Sequence, residues 1–196
     1  MNKTLIALAL ALGSLQASAA VLDFESLAHD DMDVVDAGYV YQEAGFQLEN
    51  LGSFPFATFG SQDALSYVGS TALFNDNDDG PTTLTRIGGG AFSLVSMDLA
   101  EMMIGDLPFS VTFSGLTSGG DVVTQAFTLD GSFGAQTFTF NSSFADVTSV
   151  SWANTAGYTQ FDNISAVAAV PEPETYAMML AGLGCLAGLR RRAKQA

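Results

Sequence analysis

Residues 109–129 read FSVTFSGLTSGGDVVTQAFTL, and this stretch decides the fold. Phe109, Val111 and Phe113 alternate with Ser110 and Thr112. After the turn-forming run 115–121 (GLTSGGD), Val123, Phe127 and Leu129 alternate with Thr124, Ala126 and Thr128. A period of two places apolar side chains on one face and hydroxyls on the other, the pattern of a half-buried strand. Phe138 and Phe140 repeat it against Thr137 and Thr139, and Val150 and Trp152 against Ser149, Ser151 and Ala153. Turn residues separate the runs at Asp130-Gly131 and at 154–157. Upstream, 21–24, 46–51, 84–87 and 92–99 are further strand candidates, and residues 30–44 have room for a helical turn. The run 92–99 changes phase between Leu94 and Val95, so it is buried on both faces or bulged. About ten strands without a full amphipathic helix predict an all-β, two-layer antiparallel β-sandwich.

The sandwich fills residues 21–170, a typical single-domain length. The whole chain of 196 residues carries 21 acids against 6 bases, a net charge of −15. Within 21–170 the imbalance is sharper, because 19 acids face the single base Arg86 and leave −18. Such a charge repels a polyanion and excludes a general nucleic-acid binder. The single cysteine, Cys185, excludes an intrachain disulfide and a thiolate zinc cluster.

The two ends read as addresses. Residues 1–20 form a signal peptide: Lys3, then the apolar run 5–12 (LIALALAL), then small residues that fit cleavage after Ala19 or Ala20. At the other end Pro171-Glu172-Pro173 precedes the apolar run 176–189 (YAMMLAGLGCLAGL), and Arg190, Arg191, Arg192 and Lys194 follow. The prolines stop any helix from entering smoothly from the preceding domain. The apolar run predicts a short transmembrane helix at about 175–189, with Cys185 as a small packing residue and the basic cluster on the cytoplasmic side.

This order of parts over about 170–192 resembles the PEP-CTERM sorting tail of exported Gram-negative bacterial proteins, also described as the C-terminal domain of certain ice-binding proteins. The resemblance assigns 171–196 to a sorting tail, with Pro171, Glu172 and Pro173 as the sorting motif. It implies a membrane protease-transpeptidase of the exosortase type as partner. The route it implies runs through the inner membrane to the cell surface or extracellular matrix. A second resemblance lies in the domain. Leu22-Asp23-Phe24-Glu25 opens it, Tyr41 and Gly45-Phe46 follow, and Phe161-Asp162-Asn163-Ile164 closes it. This layout is similar to the jelly-roll domains of carbohydrate-binding modules. Such modules commonly hold a structural calcium between first and last strands, which implies Asp23, Glu25 and Asp162 as metal ligands.

The residues themselves add a phase argument. In a regular strand Phe161 and Asn163 share one face, and Asp162 and Ile164 the other. Burying both Phe161 and Ile164 therefore requires a bulge, or an Asp162 neutralised by a cation; an edge strand with Asp162 in water is the other reading. A second acidic stretch, 75–80 (NDNDDG), resembles the first half of an EF-hand loop, but Arg86 stands where that loop needs its glutamate.

Catalytic patterns are sparse. No G-x-S-x-G elbow occurs, the glycines 88–90 lack the lysine of a phosphate loop, and His29 reads as a solvated loop residue. Asp98 and Glu101 are the carboxylate pair nearest a strand end, as glycoside hydrolysis would need. Among aromatics, Trp152 follows Val150 into the core, whereas Tyr158, in a loop, is the better-exposed sugar platform. The expectation is an exported, non-catalytic protein that binds or structures extracellular polysaccharide. A small secreted polysaccharide-active enzyme is the alternative.

Overall fold

In a computed structural model the described residues are 19–75, 80–102, 108–153 and 158–169. The predicted signal peptide, apart from Ala19 and Ala20, lies outside them, as do the Pro171-Glu172-Pro173 motif, the helix expected at about 175–189 and residues 76–79 of the acidic loop. Residues Ser18–Ala169 form one compact unit.

The hairpin predicted from 109–129 is present. Strand β9 (Ser110–Thr117) pairs antiparallel with β10 (Val122–Thr128), from Ser110 opposite Thr128 to Leu116 opposite Val122. β9 then pairs with β12 (Val147–Trp152), β12 with β7 (Thr82–Arg86), β7 with β4 (Phe46–Asn50) and β4 with β3 (Val40–Glu43). These six strands make one layer. The other contains β2 (Val34–Gly38), β5 (Phe56–Phe59), β6 (Leu73–Asn75), β13 (Thr159–Ala168), β8 (Phe92–Glu101) and β11 (Gln136–Thr139). β1 (Ala19–Leu22) pairs with the far half of β13. One β8–β12 pair, Phe92 opposite Val147, joins the layers.

Alternation fills the space between them. Leu48, Leu84, Phe113, Val150 and Trp152 from the first layer and Phe56, Leu73, Met97, Leu99, Phe161 and Ile164 from the second form one buried cluster. Rings meet across it: Trp152 stands edge-on to Phe161 with centroids 5.2 Å apart, and Phe46 to Phe92 at 5.2 Å. At one open side Phe127 of β10 lies 4.9 Å from Phe138 of β11. The all-β antiparallel sandwich predicted from alternation is therefore observed.

The phase conflicts resolve as two opposed bulges. β13 spends three steps from Asp162 to Ser165 where β8 spends two, from Asp98 to Ser96. β8 then spends two steps, Ser96 to Leu94, where β13 spends one. The first extra residue puts Asn163 in the left-handed region (φ 48°), which asparagine tolerates. Phe161 and Ile164 both stay in the core. The second throws Val95 to the surface, and its carbonyl accepts from Phe140 N at 2.9 Å.

Residues 30–44 differ from expectation. They contain strands β2 and β3, and the helical turns among the described residues are short 3-10 segments at Glu25–Leu27 and Ser142–Phe144. β2 is an edge strand whose first three residues are exposed, so it lacks the apolar alternation that marks a strand in sequence. Gly115 also differs: it lies inside β9, not in the turn. Its backbone faces the core so closely that a Cβ there would stand 2.9 Å from Val147 Cγ1, 3.1 Å from Phe144 Cε1 and 3.1 Å from Val123 Cγ2. Gly115→Ala is thus an overpacking change, expected to cost about 1–3 kcal/mol and to lower the melting temperature of the chain. Gly119→Ala, whose Cβ would meet nothing closer than 3.7 Å, is expected to leave it within about 0.5 kcal/mol. Equal melting temperatures for the two variants would contradict this packing.

Candidate functional site

The bulge in β13 determines where Asp162 goes. Its side chain leaves the core face and is covered from the other side, so the residue is only 2% exposed. Ser70 Oγ donates to Oδ2. The backbone N–H of Asn163 donates to Oδ1 at 2.7 Å. The Asn163 side-chain amide reaches Asp162 Oδ2 at 3.2 Å and Asp98 Oδ2 at 3.0 Å, bridging two carboxylates that oppose each other across the β8–β13 ladder. Thr71, next to Ser70, gives its N–H to Glu25 Oε1 at 3.0 Å and its hydroxyl to Glu25 Oε2 at 3.3 Å. The Ser70-Thr71 loop therefore gathers Glu25 and Asp162 from the two ends of the domain.

The electrostatics of this gathering are unfavourable. Burial pushes the Asp162 carboxyl up to about 6, and the charges of Asp98 and Glu25 add to that; Ser70 and the Asn163 N–H oppose it. Tyr67 stands beside the same acids: burial raises its phenol, and Glu25 and Asp162 raise it further.

Asp23 takes a different place from Glu25. Its Oδ1 accepts from Glu25 N at 3.2 Å, while its own N–H and that of Phe24 donate to Glu43 Oε2 at 3.0 and 3.2 Å. Glu43 thereby holds the turn in which Phe24, fully buried, adopts φ 55°. Among the described residues, no group of three or more His, Cys, Asp or Glu side chains is positioned to hold a metal ion. Sequence reasoning did not single out Glu43, Ser70 or Thr71 for this region, and it read Asp98 only as a catalytic partner of Glu101.

That catalytic pairing does not match the strand geometry. Asp98 and Glu101 are three residues apart on β8, so their side chains leave opposite faces. Asp98 bonds Thr137 and Asn163 on the outer face, and Glu101 is 1% exposed at the end of the core row. His29 also departs from its solvated reading: its ring nitrogens engage Asp31 Oδ1 at 2.7 Å and Thr58 Oγ1 at 3.2 Å, tying its loop to β5. Trp152 is core, 3% exposed, and Tyr158 is exposed, both as predicted. Tyr39 and Phe54, which the sequence did not single out, are also exposed, at 48% and 57%, with the Tyr39 hydroxyl donating to Ser53 O at 2.9 Å. Asn75, at the head of the acidic loop, is buried, and its amide bonds Asn50 Oδ1 at 2.9 Å and Gly80 O at 3.3 Å.

The described unit is thus an antiparallel β-sandwich that gathers acids where its closing strand meets its opening turn. Residues 169–193 match the family described as the PEP-CTERM protein-sorting motif. No curated protein matches the chain. Among solved structures the chain is similar to an exo-beta-agarase, at 12% identity and TM-score 0.41, over 80% of this chain and 26% of that one. It is similar to the CBM22-1 xylan-binding domain of Paenibacillus barcinonensis Xyn10C, at 8% identity and TM-score 0.39, over 81% of this chain and 100% of that one. A third is the family 11 carbohydrate-binding module of Clostridium thermocellum Lic26A-Cel5E, at 10% identity and TM-score 0.32, over 74% and 99%. The chain spans about a quarter of the agarase, as the 26% coverage states.

A raised carboxyl pKa has a definite sign. Between about pH 4 and 6 the folded chain holds a proton at Asp162 that the unfolded chain has released, so this group's contribution to stability falls as pH rises through that window. Asp162→Asn removes it. In EDTA the variant is expected to gain stability relative to the parent as pH rises from 4 to 7, and to show no relative gain below 4. Parallel stability–pH curves for the two proteins would contradict the burial and repulsion described here.

Proposed function

We propose that the chain is an exported, non-catalytic surface or matrix protein, sorted by its tail, whose sandwich binds or structures extracellular polysaccharide. The observation that carries this reading is the sorting motif at 169–193, since a protein-sorting tail implies export. In this reading an exosortase-type protease-transpeptidase recognises Pro171, Glu172 and Pro173. The apolar segment at about 175–189 holds the precursor in the inner membrane until then, and the sandwich is released to the cell surface or matrix of a Gram-negative bacterium.

Polysaccharide binding draws support from the surface. Tyr39 and Phe54 present exposed rings, the Tyr39 hydroxyl donates to the carbonyl of Ser53 next to Phe54, and aromatic faces are the surfaces on which sugar rings stack. Exposed hydroxyls, such as Thr112 beside the pair Thr128 and Ser110, offer donors and acceptors in regular register. With −18 on residues 21–170, the favoured ligand is a neutral glycan or an anionic one bridged by divalent cations.

Calcium is part of the proposal. Carboxylate oxygens are hard donors that suit calcium, and Asp162 is a buried carboxylate pushed up by burial and by Asp98 and Glu25, a repulsion whose sign a divalent ion reverses. Glu25 and Asp162 would hold it, with Asp23 on the same turn accepting the Glu25 N–H at its Oδ1. At about 100-fold excess over its dissociation constant such an ion adds roughly 2.7 kcal/mol of stability.

Two measurements test the reading. Intact mass of protein from its own host is expected to end near residues 170–175; a full-length C-terminus would show a permanent anchor instead. On a glycan array the full-length chain is expected to be retained without releasing new reducing ends. Tyr39→Ala is expected to weaken retention about tenfold, equivalent to about 1.4 kcal/mol. Release of reducing ends would establish the polysaccharide-active enzyme in place of the binding module.

A further inference from the structure

Beyond its bulge at Val95, β8 places Met97, Leu99 and Glu101 on the core face, at 0%, 1% and 1% exposure. The alternation that buries two apolar side chains thus carries a carboxylate into the same row. Glu101 Oε1 accepts from Gly131 N at 3.1 Å and lies 3.5 Å from Gln136 Nε2. Glu101 Oε2 is buried and has no hydrogen-bond partner among the described residues. A buried carboxylate oxygen left unpaired is costly, because its hydration is lost and nothing replaces it.

The surroundings supply oxygen, not positive charge. Gln136 Nε2 also lies 3.1 Å from Asp130 Oδ1 and 3.4 Å from Ser132 O. Oxygens of Glu101, Asp130 and Ser132 therefore converge on one atom. An amide nitrogen has two hydrogens and cannot serve three acceptors well, and at 3.4–3.5 Å the outer two bonds are weak. The single base of 21–170, Arg86, belongs to β7 in the other layer.

We propose that Glu101, Asp130, Ser132 and Gln136 form a calcium site, centred where the Gln136 amide meets the three oxygens. Both Glu101 oxygens, Asp130 Oδ1 and the Ser132 carbonyl are hard donors. Rotating the Gln136 amide replaces Nε2 by Oε1 without changing the side chain's shape, and water completes the shell of six to eight that calcium takes. The ion would pair the orphaned Glu101 oxygen and staple the turn at 130–132 and the start of β11 to the end of β8. The site is independent of Asp162: Glu101 faces the core side of β8, and Asp162 lies opposite Asp98 on the outer side.

The test is calorimetric titration of the full-length chain with calcium chloride, for the parent and for Asp130→Asn, Glu101→Gln and Asp162→Asn. Asp130 is exposed, so its variant keeps the fold even if Glu101→Gln does not. The parent is expected to bind two calcium ions. Asp130→Asn and Glu101→Gln are each expected to weaken one of the two at least tenfold and leave the other intact. Asp162→Asn is expected to remove the one they leave. Loss with Asp130→Asn but not with Asp162→Asn upholds this site and overturns the Asp162 reading. Parent-like titration of Asp130→Asn overturns this site whatever Asp162→Asn does, and a parent that binds no calcium overturns both.

Discussion

The pairing of β13 with β8 constrains everything else in this domain. β13 is the closing strand, and it touches the opening strand β1, the short β6 and the long β8. It must present Phe161 and Ile164 to one core although strand geometry assigns them to opposite faces. The extra residue at Asn163 solves that problem, and the extra residue at Val95 restores the register further along. The cost appears on the outer side. The same bulge drives Asp162 into burial opposite Asp98, within reach of Glu25, in a chain already rich in acids.

With one base among 19 acids, residues 21–170 cannot neutralise carboxylates with ion pairs. Backbone N–H groups do much of that work. Glu43 accepts from Asp23 and Phe24, Glu25 from Thr71, Asp31 from Asp33, Glu101 from Gly131 and Asp130 from Ser132. Each of these bonds also pins a turn or a strand end, so the acids act as caps as well as charges. Peptide dipoles offset a full negative charge only in part. The exposed acids rely on water for the remainder, whereas Asp162 and Glu101 are shut away from it.

How much of this was legible follows from exposure. The hairpin at 109–129 and strand β12 each have one wet face and one dry face, and their alternation could be read directly. β2 is mostly exposed and β5 and β6 are buried throughout, so none of the three alternates, and all escaped notice. The conflict at Asp162 was visible as a phase problem, and the structure answers it with the bulge. The meeting of Glu25 with Asp162 was not derivable from spacing, because Ser70 and Thr71 reach them across 92 and 46 residues of chain. The burial of Glu101 was equally hidden: its face depends on the bulge at Val95, and counting straight through from Phe92 assigns it to the outer side.

The most direct test of the central claim is native-state hydrogen exchange on the full-length chain. If the bulged β8–β13 ladder holds the domain together, the amides of 97–99 and 160–161 are expected to exchange only through global unfolding, and β1 amides to lose protection together with them. The edge strands β2 and β10 are expected to open at lower free energy. Exchange of the β13 amides ahead of those in β9 and β12 would show that the closing strand is a late addition to an already stable sheet, and would contradict the account.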